Sequence, residues 1–297
     1  MSKPISKPVS KPMSEPMTES VEQHYEQALD AKLIIESLQK AYPQGPDIYQ
    51  LAPIDQLHIG GIKASLKLLD RIQHLNASRI LDIGSGLGGL MRLLQSNLTG
   101  PKHSQPLNII GVDICHPFNQ INRKISSICK QKPPSLITAD AHHLPFMESQ
   151  FDLIIFQHSL LNIPDDSGVL KECWRLLKPS GHILLHEVIE GTQPEMMLYP
   201  VPWARDAQHS HLINEQHLRD LLKQSRFQLS SFDNWSAQAL EWRTRQSVKE
   251  QTTSQNTPPV SPAMILGPEF KLMGHNLMKN LQNNAAEVVE VLAKKAS

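Results

Sequence analysis

Short apolar runs alternate with longer helical segments in the middle of this chain. Five such runs stand at residues 79–83, 108–113, 136–139, 151–156 and 182–186. Between them, residues 89–97, 118–131 and 167–177 space their apolar side chains as one face of a helix does. Mostly apolar strands that alternate with helices are typical of a parallel sheet covered on both faces. Because the crossovers between parallel strands are right-handed, the pattern predicts a doubly wound α/β fold.

The segments that flank this core predict additional helices and a lid. Residues 21–41 and 59–75 have helical spacing, and a Pro- and Gly-containing stretch from Pro43 to Pro53 is expected to end the first helix. Residues 189–213 have no periodicity and contain three prolines. A loop of this length in a compact domain is often a lid over a functional site, and we predict one here.

The last third of the chain is expected to complete the sheet. A seventh strand would close it as a hairpin partner of the sixth, which makes the sheet seven-stranded and mostly parallel. The predicted elements are a helix at 214–224, a sixth strand at 227–232, a mobile loop at 247–262, a helix at 272–281 and a seventh strand at 288–292.

Charge and composition exclude several classes of protein. Lys and Arg together number 29, as do Asp and Glu, so a nucleic-acid partner held by bulk positive charge is not expected. No apolar run approaches the roughly 20 residues that span a bilayer, which argues against stable membrane insertion. Cys115, Cys129 and Cys173 fit no disulfide framework or zinc spacing, and with no secretory signal we expect a cytoplasmic protein. The oligomeric state stays open.

The segment Leu81-Asp82-Ile83-Gly84-Ser85-Gly86-Leu87-Gly88-Gly89 combines a strand end, a glycine-rich turn and a helix start. Such a turn lies at the carboxyl end of the strands, where open α/β sheets bind ligands. Its spacing also satisfies the dinucleotide fingerprint, so the loop alone does not exclude a nicotinamide enzyme. Asp113, at the end of the second strand, is placed to accept the hydroxyls of a ribose in either case.

Further motifs distinguish the two cofactors. Asp140-Ala141, Leu144-Pro145-Phe146 and the later run Leu176-Leu177-Lys178-Pro179-Ser180-Gly181 follow the glycine loop in order. Over about residues 56–232 the series resembles the class I S-adenosylmethionine-dependent methyltransferases, which have a Rossmann-like fold. The resemblance implies a methyltransferase domain over residues 20–297, with a core at about 56–232, a lid at about 189–213 and an extension at 233–297. Residues 1–19 repeat Ser-Lys-Pro or Ser-Glu-Pro, and we expect a disordered tail there.

The resemblance implies a role for each matching residue. Gly84, Ser85 and Gly86 would face the methionine portion of S-adenosylmethionine, and Asp113 would hold the ribose. Ile114 would pack on the adenine, Asp140 would accept from its amino group, and Ala141 would lie beside it. Gln157 and His158 would border the sulfonium and the acceptor. Asp82 would lie near the cofactor, or would only accept hydrogen bonds from backbone amides of the loop.

Two further segments, Gln56-Leu57-His58-Ile59-Gly60-Gly61 and Tyr199-Pro200-Val201-Pro202-Trp203, resemble the sarcosine/dimethylglycine and phosphoethanolamine N-methyltransferase-like group. They are only loosely similar to quinone-ring C-methyltransferases. Gly60 and Gly61 would lie near the cofactor carboxylate, and His58 would point toward the transferred methyl group. Tyr199 and Trp203 would contact the substrate or anchor the lid.

The resemblance leads to a small-molecule methyltransferase, with an amine as the expected acceptor. His58 or His158 would accept the amine proton, because histidine titrates near neutral pH. His186 and Glu187 would contact the substrate or only support the lid. No set of histidines has the spacing of a complete metal site, so no metal is expected. The alternatives are methylation of a quinone or phenolic ring, and binding of S-adenosylmethionine without catalysis.

Overall fold

The structure is a computed structural model that describes residues 29–99, 106–252 and 260–296. The tail predicted at residues 1–19 and the first part of the helix predicted at 21–41 lie outside the described residues. The seven strands are β1 (Arg79–Ile83), β2 (Asn108–Asp113), β3 (Ser135–Thr138), β4 (Phe151–Gln157), β5 (Leu177–Glu190), β6 (Phe227–Asn234) and β7 (Ala286–Lys295).

All seven strands form a single sheet in the order β3-β2-β1-β4-β5-β7-β6. The pairs from β3 to β5 are parallel, whereas β7 runs antiparallel to both of its neighbours. The chain order reverses beside β1, so the carboxyl ends of β1 and β4 border the crevice in which doubly wound sheets bind ligands. The predicted mostly parallel, seven-stranded doubly wound fold is confirmed.

Helices cover both faces of the sheet. Those of the described residues are α1 (Ala31–Ala41), α2 (Ile48–Asp55), α3 (Ile62–Gln73), α4 (Gly89–Asn97), α5 (His116–Ile128), α6 (Asp166–Leu176), α7 (Glu215–Gln224), α8 (Ser236–Thr252), α9 (Ala263–Leu266) and α10 (Phe270–Gln282). Helices α3 and α4 pack on one face with Ile80 and Ile155, and α6 and α7 pack on the other with Leu81 and Ile154. This alternation along β1 directs Asp82 to the α3 side of the sheet.

The stretch from Pro43 to Pro53 follows the end of α1 at Ala41, as predicted, but it also contains most of a helix that the sequence did not indicate. Helix α2 occupies Ile48–Asp55. It starts with a capping box, in which the Asp47 side chain accepts from the Gln50 amide and the Gln50 side chain accepts from the Asp47 amide. Pro53 stands inside the helix and removes only one backbone donor, while the cap and the burial of Leu51 favour helix.

The predicted mobile loop at 247–262 is also wrong in its first part. Helix α8 continues to Thr252, and residues 253–259 lie outside the described residues. Arg243 binds both carboxylate oxygens of Glu250, at 2.9 and 2.6 Å, and donates from Nε to the Gly274 carbonyl of α10 at 2.9 Å. The polar composition of this segment therefore did not indicate the helix, which a part-buried ion pair stabilises.

Strand β7 is the predicted partner of β6, and it has a second neighbour that the sequence did not indicate. It pairs antiparallel with β6, but it also lies between β6 and β5, to which it pairs along nine registered positions from His182 to Glu190. Because β5 is the last of the parallel strands, β7 joins the parallel strands to β6. The segment 233–297, predicted as an extension of the core, thus contains a fully integrated strand.

The predicted lid at 189–213 packs against the C-terminal helices. Asn280 of α10 accepts from the Leu198 amide at 2.8 Å and donates to the Leu198 carbonyl at 2.9 Å. Asn276 donates to the carbonyl of Pro200, which follows a cis peptide bond. Val201 and Trp203 are buried in the same cluster as Trp235. In the structure the segment is therefore an ordered wall of the domain.

Candidate functional site

A cavity of about 150 Å³ opens at the carboxyl ends of β1 and β4. Its floor is the glycine-rich loop, and its walls come from the turn before α3, the end of β4 and the lid. Of the residues predicted for the site, eight line this cavity, namely His58, Asp82, Gly84, Ser85, Gly86, Gln157, His158 and Trp203. The sequence thus led to a set of residues that the fold brings together.

The backbone of the glycine loop is shaped for close approach by a ligand. Gly84, Gly86 and Gly88 all have positive φ, at 74°, 51° and 81°. A side chain at Gly86 would meet no atom within 4 Å, so this residue presents bare backbone to open space. A Cβ on Gly84 would instead lie 2.2 Å from Ser159 Cβ, which shows that this glycine accommodates the loop after β4.

Two polar side chains at the loop have no hydrogen-bond partner within the described structure. The hydroxyl of Ser85 is buried and makes no hydrogen bond within the described structure. The carboxyl of Asp82 is buried and lines the cavity, and in this part of the chain it has no bond to the loop amides. Burial, together with the charge of Asp113, raises the pKa of Asp82 to about 7. A cationic ligand group would favour its charged form.

Asp113 at the end of β2 binds backbone amides with both of its carboxylate oxygens. Its Oδ2 accepts from the Gly86 amide at 2.8 Å, and its Oδ1 accepts from the Cys115 amide at 2.9 Å. Burial raises the pKa of Asp113 to about 6, against the opposing effect of these two bonds. The carboxylate therefore fixes the loop, while each oxygen keeps a second lone pair for a ligand hydroxyl.

The residues predicted to hold an adenine lie beside the cavity rather than in its lining. Ile114 is 44% exposed, a high value for a large apolar side chain, and Ala141 is buried below it in the core. Asp140 Oδ1 accepts from the backbone amide and the ring Nδ1 of His142, at 2.9 and 2.6 Å. Its second oxygen has no hydrogen bond in the described structure and faces outward.

Gly60 and Gly61 have a packing role that the sequence did not indicate. Their φ values are 93° and 52°, which only glycine adopts without strain. A Cβ on Gly60 would lie 2.6 Å from the ring of Trp235, and one on Gly61 would lie 3.4 Å from the ring of Trp242. The pair lets two tryptophans from α8 and the residue before it pack on this turn, and neither glycine lines the cavity.

A hydrogen-bond network fixes His58 at the cavity wall. Its Nε2 lies 3.0 Å from the Gly61 carbonyl and 3.0 Å from Gln157 Nε2. Gln157 also donates to Ser65 Oγ at 3.1 Å, and Ser65 donates to Gln56 at 2.6 Å. His58 therefore belongs to the turn before α3, not to the helix predicted to begin at residue 59. The network holds the end of β4 and this turn in one arrangement.

Three histidines from distant parts of the chain meet behind this wall. The rings of His58, His158 and His186 lie 5.1 to 6.0 Å apart, and His186 donates from Nε2 to the Ile59 carbonyl at 3.1 Å. His186 does not line the cavity. His158 has a left-handed backbone, with φ of 56°, and its amide donates to the His186 carbonyl at 2.8 Å.

Burial keeps these imidazoles neutral. It lowers the pKa of His58 to about 3 and that of His186 to about 4, and it holds the pKa of His158 well below its usual value. The nearby His186 adds to the effect on the other two rings. A base with so low a pKa is poorly matched to take a proton from an amine near neutral pH. The cluster is suited to directional hydrogen bonding by neutral rings.

The two aromatic residues predicted in the lid differ in their placement. Trp203 lines the cavity, is 6% exposed and donates from Nε1 to Ser210 at 3.3 Å. Tyr199 packs against the cluster of Trp203 and Trp235 and does not reach the cavity. Of these two residues, Trp203 therefore lies at the cavity, whereas Tyr199 packs within the cluster of the lid.

The sequence reasoning missed the residues that roof the cavity. Ile54 and Asp55 from α2, Phe118 from α5 and Ile265 from α9 contribute to its lining. Asp55 is paired with the buried Arg92 of α4, whose Nη2 lies 2.9 Å from Asp55 Oδ2. The capping box before α2 was the available signal, but the helix itself was not predicted.

Glu187 supports the loop after β4. Its two carboxylate oxygens accept hydrogen bonds from the backbone amides of Ser159, Leu160 and Leu161, at 2.9 to 3.4 Å. Burial raises the pKa of Glu187 to about 7 against these bonds. Of the two roles predicted for Glu187, support of the structure is the one that these contacts favour, and the loop it holds includes the cavity residue Leu161.

Metal ligation and membrane insertion have no support in the described part of the chain. Across residues 29–99, 106–252 and 260–296, no three His, Cys, Asp or Glu side chains are grouped as metal ligands. Within the same ranges no helix has both the length and the apolar character that a bilayer crossing requires.

Comparison with known proteins identifies the domain. Residues 81–185 match the model of a family described as a methyltransferase domain. Over 123 residues the chain is 36% identical to a demethylmenaquinone methyltransferase of Lactobacillus johnsonii, a match that covers 40% of this chain and 47% of that protein. The chain therefore spans about half the length of the curated relatives it matches.

Two solved structures are similar in fold. One, from Galdieria sulphuraria, is assigned as a sarcosine dimethylglycine methyltransferase; it has a TM-score of 0.66 at 14% identity and covers 88% of this chain and 98% of that one. The other is phosphoethanolamine N-methyltransferase 2 of Haemonchus contortus with phosphomonomethylethanolamine and S-adenosylhomocysteine. Its TM-score is 0.65 at 18% identity, over 88% of this chain and 60% of that one. Residues 81–185 thus match a methyltransferase-domain model, and the sheet that contains them has the fold of these two structures.

Proposed function

We propose that this protein transfers a methyl group from S-adenosylmethionine to a small-molecule acceptor. The observation that carries the proposal is the cavity over the glycine loop, where Gly86 offers bare backbone and Asp82 offers a buried carboxyl with no partner within the described structure. A cofactor with an ammonium group would supply the missing partner. The methyltransferase-domain match over the same loop supports this assignment.

In this proposal the loop residues hold the cofactor by its polar groups. Asp82 and Ser85 would bind the methionine portion, and the free lone pairs of Asp113 would accept from the ribose hydroxyls. Ile114 would pack on the adenine, and the outward oxygen of Asp140 would accept from its amino group. The exposure of Ile114 supports this placement, since a flat ligand would cover it.

The acceptor would lie between the end of β4 and the lid. His58, Gln157 and His158 contribute hydrogen-bonding groups there, and Trp203 contributes an aromatic face. We propose an amine, whose methylated product is a cationic ammonium that a tryptophan face would attract. The neutral histidines would orient the nitrogen lone pair rather than take up its proton, so the amine would bind in its unprotonated form.

A quinone or phenolic ring is the second candidate acceptor. The apolar side chains Leu57, Leu161, Pro202 and Leu266 form much of the cavity wall near Trp203. A flat, weakly polar ring would bury its surface against them. The identity to a demethylmenaquinone methyltransferase supports this alternative in the matched half of the chain.

The chemistry requires alignment more than acid or base strength. Bound S-adenosylmethionine supplies an electrophilic methyl group on its sulfonium. The protein would contribute by fixing the acceptor in line with that group, which lowers the entropic part of the barrier. The ordered lid and the roof from α2 would exclude water from the reacting atoms.

Calorimetric titration with S-adenosylhomocysteine tests the cofactor, with NADH as the control. Micromolar binding that Asp82→Asn weakens, with no NADH binding, supports the proposal. Folded protein that binds NADH and not S-adenosylhomocysteine would be a nicotinamide enzyme. Binding without turnover across amine, quinone and phenol acceptors would indicate a non-catalytic binding protein.

A further inference from the structure

His142 makes two ring hydrogen bonds that require two N–H groups. Its Nδ1 lies 2.6 Å from Asp140 Oδ1, and its Nε2 lies 2.9 Å from the backbone carbonyl of Asp165. A carboxylate and a carbonyl both accept hydrogen bonds, so both ring nitrogens must donate. A neutral imidazole has a single N–H, and only the imidazolium form satisfies both contacts.

This arrangement fixes one oxygen of Asp140 and leaves the other available. Oδ1 accepts from the His142 ring and from the His142 amide, at 2.6 and 2.9 Å. Oδ2 has no hydrogen bond in the described structure, and the side chain is 56% exposed. The ring is itself held at the start of α6, where Asp165 is the N-cap, and a Cβ on Gly168 would lie 2.9 Å from His142 Cδ2. Asp140 is therefore oriented through a rigid element.

We propose that His142 is a positioning residue for the cofactor, which as an imidazolium holds Asp140 so that its free oxygen meets the adenine amino group. This inference rests on the proposed function, because it takes Asp140 to contact adenine. The affinity of the protein for the adenine base then depends on His142, which does not contact the base.

The charges around His142 favour this protonated form. The carboxyl groups that face it are Asp140 and Asp165, His143 stacks beside it with ring centroids 6.5 Å apart, and Lys171 acts on Asp165 from α6. Burial alone would lower the pKa of His142, but the hydrogen bonds and charges of the two carboxyl-bearing residues raise it above its ordinary value. Above that pKa the ring loses one of its two contacts.

The test compares His142→Ala with the neighbouring variant His143→Ala. The ligands are S-adenosylhomocysteine and its inosine counterpart, which has a carbonyl in place of the adenine amino group. We expect His142→Ala to raise the Kd of S-adenosylhomocysteine roughly three- to tenfold, the scale of one hydrogen bond, and to leave the inosine ligand unaffected. His143→Ala should change neither. In the unaltered protein the Kd should rise as pH increases through the raised pKa of His142, and His142→Ala should remove that rise.

The outcomes separate the two proposals. No binding of S-adenosylhomocysteine by the folded unaltered protein overturns the proposed function and this inference with it. Binding that His142→Ala leaves unchanged overturns the inference alone. A lower melting temperature with equal weakening of both ligands also overturns it, since that would mean that His142 only stabilises the start of α6.

Discussion

Replacing Asp82 by Asn should stabilise the free protein and weaken cofactor binding at the same time. The carboxyl is 3% exposed, and burial with the charge of Asp113 raises its pKa from 3.8 to about 7. Ionisation of a carboxyl whose pKa is raised by folding destabilises the folded state. This loss of stability is absent at pH values below the pKa of the unfolded chain and is complete at pH values above the pKa of the folded protein. About three pH units between these values correspond to roughly 4 kcal/mol at most near pH 7.

The asparagine side chain of this variant carries no charge, although its amide is still buried without a hydrogen-bond partner. Subtracting about 1–3 kcal/mol for that amide leaves a net gain of about 1–3 kcal/mol for Asp82→Asn at pH 7 to 8. At roughly 2 °C for each kcal/mol in a chain of this size, the melting temperature should rise by about 2–6 °C. The gain should disappear as pH falls below the unfolded pKa of 3.8, where the carboxyl is protonated in both states.

The same change should cost binding, because a charge-assisted hydrogen bond to the ligand ammonium is lost. We expect the Kd of S-adenosylhomocysteine to rise about 10- to 100-fold, which corresponds to about 1.5–3 kcal/mol. Differential scanning calorimetry and titration calorimetry measure the two effects on one sample.

Asp152→Asn is the matched control for this experiment. Asp152 lies at the opposite end of the sheet on β4, and bonds to Lys178, Ser78 and the Arg79 amide offset the effect of burial and lower its pKa. Its replacement should lower the melting temperature and leave the Kd unchanged. A destabilised Asp82→Asn that binds S-adenosylhomocysteine as tightly as before would refute the reasoning.

Further variants test the loop and its supports. Gly86→Ala should cost about 1–2 kcal/mol in stability, because the backbone there is left-handed, and should block binding of S-adenosylhomocysteine. Gly84→Ala should cost about 3 kcal/mol or more, because the new methyl group would clash with Ser159; chemical denaturation measures both losses. Arg92→Met should cost about 3–5 kcal/mol by leaving the Asp55 carboxyl buried without its partner, and adding Asp55→Asn should recover part of the melting temperature. Glu187→Gln removes the charge that three backbone amides share, so kcat/KM should fall about tenfold or more; unchanged kinetics would contradict its supporting role.

The parallel part of the fold was predictable because its strands are buried on both faces. Runs such as Ile80 to Ile83 and Leu153 to Phe156 have no polar residue except at functional or terminal positions, and this apolar pattern is local. The glycine loop was predictable for a related reason, since positive φ at alternate positions permits few residues other than glycine. Both signals reside in adjacent residues.

The elements that were missed depend on contacts between distant residues. The helix that ends at Asp55 was obscured by Pro53, and the end of α8 is held by Arg243 acting on Glu250 and Gly274. No local sequence pattern indicates such contacts between distant residues. Likewise, the sequence suggested that His58 and His158 approach one another, but their lowered pKa values come from burial and from the nearby His186, which the sequence does not display.

The position of β7 between β5 and β6 has a consequence for the order of events during synthesis. Strand β6 leaves the ribosome some 50 residues before β7, yet it has no other neighbour in the sheet, and β5 also waits for β7 along its outer side. Until Ala286–Lys295 emerge, both strands expose unpaired backbone groups that can join strands of other chains. Removal of this last strand should therefore produce aggregation rather than a smaller folded protein, and nascent chains of intermediate length should depend on chaperones.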